Sequence, residues 1–416
     1  MDKKIAIVGA GTAGLQLGLY LLQHGITPRL YTDRKPEDYA QARLMNTVAH
    51  HHVTVEREDA LGCNHWPSGE FGYFGHYYYI GTPEPLHIYG DLVRPSRAVD
   101  YRIYQPTLLR DYIARGGEVV YGQVEYEDLA GISEGHDLTV ICTGKGAINQ
   151  MFPRNEEFSP FDRPQRMLCA GLFKGIGETE TRAVTMYFAP GHGELIEIPT
   201  LSFNGMCKAL VFENHIGGDL EILAKTKYED DPRAFLDILL DRIQRHYPTL
   251  HARIDRAEFD LANSHRDLLQ GGVTPTVRAT HTWLENGKLA LALGDVHAVV
   301  DPVLGQGANM ASYAAVITGE EIVANRVFDK RFVEKVDARR HDRVMSGTRW
   351  TNYMLTSLKA LSPDLLQYIG GLAQSRALTD EFTENFNFPE RQWDVFSDPA
   401  RVAITVACMT DRVAAE

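Results

Sequence analysis

Residues 4–8, Lys-Ile-Ala-Ile-Val, form a short apolar run that ends in glycines at 9, 11 and 14. From Thr12 to Gln23 the period changes. Leu15, Leu19 and Leu22 fall on one helical face, and His24-Gly25 supplies the stop. Residues 27–32 predict a second strand. Strand, helix and strand in so short a stretch predict the start of a doubly wound parallel sheet. Residues 106–115 predict a helix with Leu108, Leu109, Tyr112 and Ile113 as its apolar positions. Residues 118–121 and 138–142 add strands to the same sheet.

From about residue 166 the pattern shifts. Residues 183–188, 194–201 and 207–214 predict antiparallel strands separated by glycine-bearing turns. Asp231-Pro232 predicts a helix start, with Phe235, Leu236, Leu239, Leu240 and Ile243 at helical spacing. The parallel fold is rejoined near residue 280, and residues after about 330 are expected to be mostly helical. The expected class is α/β: a Rossmann-like nucleotide domain (1–70, 95–165 and 275–330), an inserted antiparallel-sheet substrate domain (71–94 and 166–274) and a helical C-terminal region (331–416). The chain shows no internal repeats or low-complexity segments.

Composition narrows the function. A chain of 416 residues with 44% hydrophobic and 23% charged residues can bury a substantial core in two or three packed units. A net charge of -13 argues against wholesale nucleic-acid binding, which needs a basic face. The five cysteines are scattered, odd in number and without a C-x-x-C pair, which predicts neither disulfides nor structural zinc and suits a reducing cytoplasm. No signal peptide is expected before the first strand. No apolar run reaches the ~20 residues of a membrane span.

Gly9-Ala10-Gly11-Thr12-Ala13-Gly14 fits G-x-G-x-x-G in its required setting, after a strand and opening a helix. Gly9 permits the tight turn, Gly11 the approach of a pyrophosphate to backbone amides, and Gly14 close packing of helix on strand. The acidic residue that grips a ribose is expected about 20 positions on. Here Thr32 holds the usual place and Asp33-Arg34 follows, so either Asp33 serves from a shifted position or the grip is loose. A loose grip suits a nucleotide that enters and leaves.

Near residue 294 the chain returns with LALALGDVHAVVDPVLGQGAN. Gly294-Asp295 ends a strand, and Asp295 can accept a hydrogen bond from a ribityl hydroxyl. Gly305, Gln306, Gly307, Ala308 and Asn309 start a helix whose positive end suits the pyrimidine edge of a reduced flavin. An ordinary strand–loop–helix capped by Asp301 is the simpler reading. The pairing of two such segments favours FAD held from two sides.

These residues resemble the para-hydroxybenzoate hydroxylase-like (GR2-type) flavoprotein fold. The stretches YTDRKPEDY, RLMNTVAHH, EFGYFGHYYY, PSRAVDYRIYQP, PGHGELIEIPTLSFNG and DPVLGQGANMASYAA are more closely similar to the oxygenase component of two-component styrene monooxygenases. That resemblance implies an FAD-dependent monooxygenase that takes reduced FAD from a separate NADH-dependent flavin reductase. It would form a flavin C4a-hydroperoxide with dioxygen and epoxidise styrene and related vinyl arenes. NADH is then used by the reductase alone, no metal is needed, and a homodimer is a family expectation. Single-component hydroxylases carry Asp-Gly in the middle strand, whereas Thr143 stands there in this chain. By the same resemblance, Val48, His50, Tyr73, His76 and Ser96 contact a small apolar aromatic substrate. Asn46 and Thr47 flank the flavin, Pro302 rests against its ring, and Arg43 reaches the pyrophosphate. For Tyr73 and His76, an aromatic-rich packed strand is an equally simple account.

His50-His51-His52 has no accompanying carboxylate cluster, so a solvated loop rather than a metal site is expected. Tyr77-Tyr78-Tyr79 is expected to be packing. Indole or sulfide oxidation is the closest alternative. A halogenase would carry W-x-W-x-I-P, which the surroundings of Trp66, Trp283, Trp350 and Trp393 lack. A plain NAD dehydrogenase leaves the 294–309 segment unexplained, and a non-catalytic flavin carrier would bind reduced FAD without converting an alkene.

Overall fold

The computed structural model describes residues 3–81, 84–144 and 146–415. Two sheets organise them. The first has six strands in the order His281–Trp283, Leu289–Ala292, Leu138–Ile141, Ile5–Val8, Arg29–Thr32 and Glu118–Tyr121. All neighbours are parallel except the first pair. Ile5–Val8 and Leu138–Ile141 are wholly buried, as central parallel strands covered on both faces must be. The helix Thr12–Gln23 follows its strand as expected, and Gly25 takes a φ of +72° just beyond it.

One helix start differs from expectation. Pro106 reads as a first-turn proline, but the helix is Tyr101–Ala114 and contains Pro106. The stronger signal is Asp100, whose carboxylate accepts from the Arg102 amide at 2.9 Å and caps the helix.

The second sheet follows the order Asp260–Leu261, Arg166–Lys174, Gly205–His215, Gly193–Ser202, Val184–Ala189, Gly72–Ile80, Leu86–Val99 and Ala49–His50, with Leu268–Gly271 also paired to Arg166–Lys174. The boundary expected at 94/95 falls inside the strand Leu86–Val99. Side chains alternate between two buried faces. Leu195, Tyr187, Leu210 and Phe212 face the helix Pro232–His246, which Asp231 caps through the Ala234 amide. Ile196, Ile198, Met186, Ala209 and Val211 face the opposite way, toward the C-terminal helices. The longest of these, Lys330–Ala360, opens at Asp329, which accepts from the Phe332 amide. No helix among the described residues is long and apolar enough to cross a membrane.

Candidate active site

The two glycine-bearing segments meet. Gly294, at φ +77°, lies so close to the first helix that a Cβ there would come 3.2 Å from the Ala13 Cβ. Gly144 is equally near Asp295, at 3.0 Å from its Cβ. Gly9 has a φ of +111° and abuts the Cys142–Thr143 backbone, while a Cβ on Gly14 would strike the Gly9 carbonyl oxygen at 2.0 Å. Gly11, by contrast, has nothing within 4 Å of its missing Cβ. It caps Thr12–Gln23 without a side-chain hydrogen bond, so the first-turn amides stay available to an anion. Gly305, left-handed at φ 62°, likewise opens Gln306–Ala324 with no side-chain cap and open space beside it. Two uncapped helix starts facing one junction, with tight glycines behind and open glycines in front, fit a dinucleotide flavin.

The ribose position is less committed. Thr32 is buried and its hydroxyl accepts from the Arg34 amide at 3.4 Å, while Asp33 is exposed at the strand end. Arg34 packs by Tyr39 and donates to the Met45 sulfur. Arg43 turns outward to Glu229 rather than toward the glycine turn.

Beside Gly305 lies an apolar cavity enclosing about 420 Å³, walled by Thr47, His51, Tyr73, His76, Pro302 and Phe386 together with aliphatic side chains of the second sheet. Met186, Ile196, Val303, Leu304 and Phe386 also face a deeper cavity of about 630 Å³ under the C-terminal helices. Of the expected substrate contacts, Tyr73 and His76 line the first cavity. Val48 instead packs against the core of the first sheet. Ser96 accepts from the His52 amide at 3.0 Å. Asn46 is half-buried, with an unpartnered side-chain oxygen.

His50 turns away from the cavity. It bonds Glu58 at 2.7 Å and the Tyr101 hydroxyl at 2.9 Å, which in turn meets Thr12 at the glycine turn. The histidine run is therefore not a solvated loop: all three side chains are buried, and His52 bonds Glu384 at 2.7 Å. Among the described residues no group of three His, Cys, Asp or Glu could hold a metal ion. Tyr77–Tyr79 is packing, as expected, with Tyr79 stacked between His87 and Tyr187.

Gln306 and Asn309 hold protein rather than facing open space. Gln306 donates to the Phe386 carbonyl at 3.0 Å. Asn309 accepts from the His51 amide and Thr54 and donates to the Ala49 and Gly305 carbonyls, stapling the 49–54 segment to the late helix. Gly307 and half-buried Ala308 leave this helix start slim.

Burial sets the charge of the cavity wall. It pushes His76 down to about 3, and His51 well below its ordinary value, aided by His76 and its neighbouring histidines. His297, at the far end of the cradle, is held down to about 3 by burial and by Arg340. All three are neutral at pH 7 and charge only on unfolding. The depressed values of His76 and His297 give stability that is complete above about 6.5 and lost as pH falls toward 3, and His51 acts in the same direction. Each adds about 1.4 kcal/mol per pH unit inside that window. Replacing His76→Gln is expected to reduce the acid slope of urea-unfolding stability by one such increment between pH 6 and 4. An unchanged slope would show that His76 is already charged in the fold.

Solved structures share this architecture. A flavoprotein/dehydrogenase from Cytophaga hutchinsonii aligns with a TM-score of 0.67 over 100% of both chains at 12% identity. The flavin-dependent brominase Bmp2 aligns at 0.61 over 95% of this chain and 99% of its own, at 13% identity. These likenesses show that the chain shares the fold of those flavin-dependent proteins. Residues 144–253 match the family model described as "Styrene monooxygenase A putative substrate binding domain". Styrene monooxygenase StyA from Pseudomonas fluorescens is 63% identical over 402 residues, 97% of each chain, and a second StyA from a Pseudomonas species matches equally. The chain belongs to the styrene monooxygenase StyA family.

Proposed function

We propose that this chain is the oxygenase of a two-component system: it accepts reduced FAD from a separate NADH-dependent reductase and, with dioxygen, epoxidises styrene and related vinyl arenes. The observation that carries this reading is the apolar cavity set against Gly305 and Pro302, with only neutral imidazoles and hydroxyls as its polar groups. Bound there, reduced FAD supplies the two electrons that activate dioxygen, so that one oxygen atom passes to the alkene and the other leaves as water. Thr47 and Pro302 then lie on the flavin side, and Tyr73, His76 and Phe386 orient the arene. An alkene has no acidic proton to remove, and the cavity wall presents no carboxylate or ammonium to remove one. The protein's task is to exclude water and hold the double bond in place.

The pyrophosphate is assigned to the amides of Gly11, Thr12 and Ala13, the ribityl chain to Asp295, and the ring's pyrimidine edge to the Gly305–Asn309 turn. Asn46 has a buried side-chain oxygen free for the flavin. His50 acts behind the site, through Tyr101 and Thr12.

Chemically reduced FAD, air and styrene supplied to the purified chain should yield styrene oxide, with indole and an aryl sulfide run in parallel to rank substrates. Hydrogen peroxide alone with every arene would overturn the reading. With oxidised FAD and no reductase, NADH consumption is expected to stay at background. By family resemblance, Thr143 stands where single-component hydroxylases carry the aspartate of their Asp-Gly motif, used for flavin and for NADPH.

A further inference from the structure

Behind the Pro302 turn lies a buried group of charges with no part in the chemistry above. Glu194 and Glu213 are directly opposed cross-strand partners. Both are buried, as are Arg166, His215 and Asp301. Glu194 is well supplied: Arg166 donates to both its oxygens, at 2.7 and 3.0 Å, and His215 lies 3.1 Å away. Those bonds outweigh the cost of burial and keep Glu194 ionised. Glu213 has no such donors. Both its oxygens, and Oδ2 of Asp301, lack any donor among the described residues, yet the two carboxyls lie within hydrogen-bonding reach of each other. Two buried carboxylates cannot sit so close with both charges present, and a proton held between them resolves the conflict.

The other oxygen of Asp301 accepts from the Val303 amide at 3.1 Å and so caps the turn Pro302–Leu304. All three residues of that turn line the cavity, followed by Gly305. We propose that Glu213 is a positioning residue: it shares one proton with Asp301 and thereby clamps the Pro302–Leu304 turn, a wall of the substrate cavity, to the substrate sheet. This rests on the oxygenase reading for its consequence but not for its chemistry.

The groups facing the pair are Arg166 and Glu194 from the neighbouring strands, with His215 and the Tyr247 phenol behind Glu194. Burial, then Asp301, then Glu194 drive Glu213 well above the ordinary carboxylate range. Asp301 is raised to about 6, mainly by burial. A raised acid contributes stability that is full below its unfolded value and lost as pH rises through its folded one. The clamp therefore weakens as pH rises.

Infrared difference spectra of the flavin-free protein at pH 7 should show a buried protonated-carboxyl band that is lost in Glu213→Gln and on alkaline titration. In turnover with reduced FAD, Glu213→Ala should raise KM for styrene about fivefold, the worth of one lost hydrogen bond, with kcat changed far less. Wild-type KM should rise at high pH, whereas Glu213→Gln, whose amide donates at any pH, should keep a flat KM. Asp301→Asn tests the same band from the other side should Glu213→Gln fail to fold. Absence of the band in wild type, its survival in both amide variants, or the same alkaline rise in Glu213→Gln would overturn the proposal. A chain that epoxidises nothing but shows the band refutes the function and leaves the shared proton standing.

Discussion

Glu58→Ala is expected to cost about 3–5 kcal/mol of folding stability, read as a shift of the urea midpoint. Glu58 is wholly buried and accepts from His50 and Tyr104, each at 2.7 Å, while its second oxygen pairs with Arg97. Burial disfavours its charge, but His50 and Arg97 outweigh that and hold the carboxyl below its ordinary range. Without it, Arg97 keeps a charge that is fully enclosed, and its remaining contacts are Asn64 at 3.1 Å and the Trp66 ring. The loss comes from the stranded partner more than from the bond. The double replacement Glu58→Leu with Arg97→Met should therefore recover a large part of it. A single variant as stable as wild type would mean that water reaches Arg97.

Two alanine substitutions in the glycine turn are expected to fail for opposite reasons. Gly14→Ala places its methyl 2.0 Å from the Gly9 carbonyl, so the helix must move off the strand. About 1–3 kcal/mol of stability should be lost, and with it the amide geometry of the turn. Gly11→Ala meets no protein atom within 4 Å. It should fold with wild-type stability yet bind FAD roughly ten- to hundredfold more weakly, because its methyl enters the space left for the pyrophosphate. Flavin fluorescence titration beside urea unfolding separates the two. Equal FAD affinity in Gly11→Ala and wild type would place the dinucleotide elsewhere.

Local signals made the nucleotide fold readable. The strand at 4–8, the glycine turn, the Thr12–Gln23 helix and the Asp231-Pro232 start each depend on neighbours within a few residues, and each lies where expected. The meander strands were legible to within two residues for the same reason. What the chain did not disclose was burial of polar side chains through distant partners. His52 finds Glu384 332 positions away, and Asp301 finds Glu213 on a different sheet element. A run of three histidines therefore reads as loop surface, although the fold encloses all of it. The cavity is similar. Tyr73, His76, Pro302 and Leu304 stand in recognisable motifs, whereas Phe386 carries no local mark and reaches the wall only because the C-terminal helices fold back over the sheet.

The strand order has a consequence for how the molecule is made. Leu289–Ala292 must slot beside Leu138–Ile141, so the parallel layer stays incomplete while the ribosome delivers the intervening segment. Val184–Ala189, Gly193–Ser202 and Gly205–His215 pair as consecutive hairpins, so their contacts are local and can form earlier. The junction of the two glycine-bearing segments closes only after some 310 residues have emerged, and the cavity beside it only after about 386. A prematurely terminated polypeptide would thus lack both the closed glycine junction and the apolar chamber beside it.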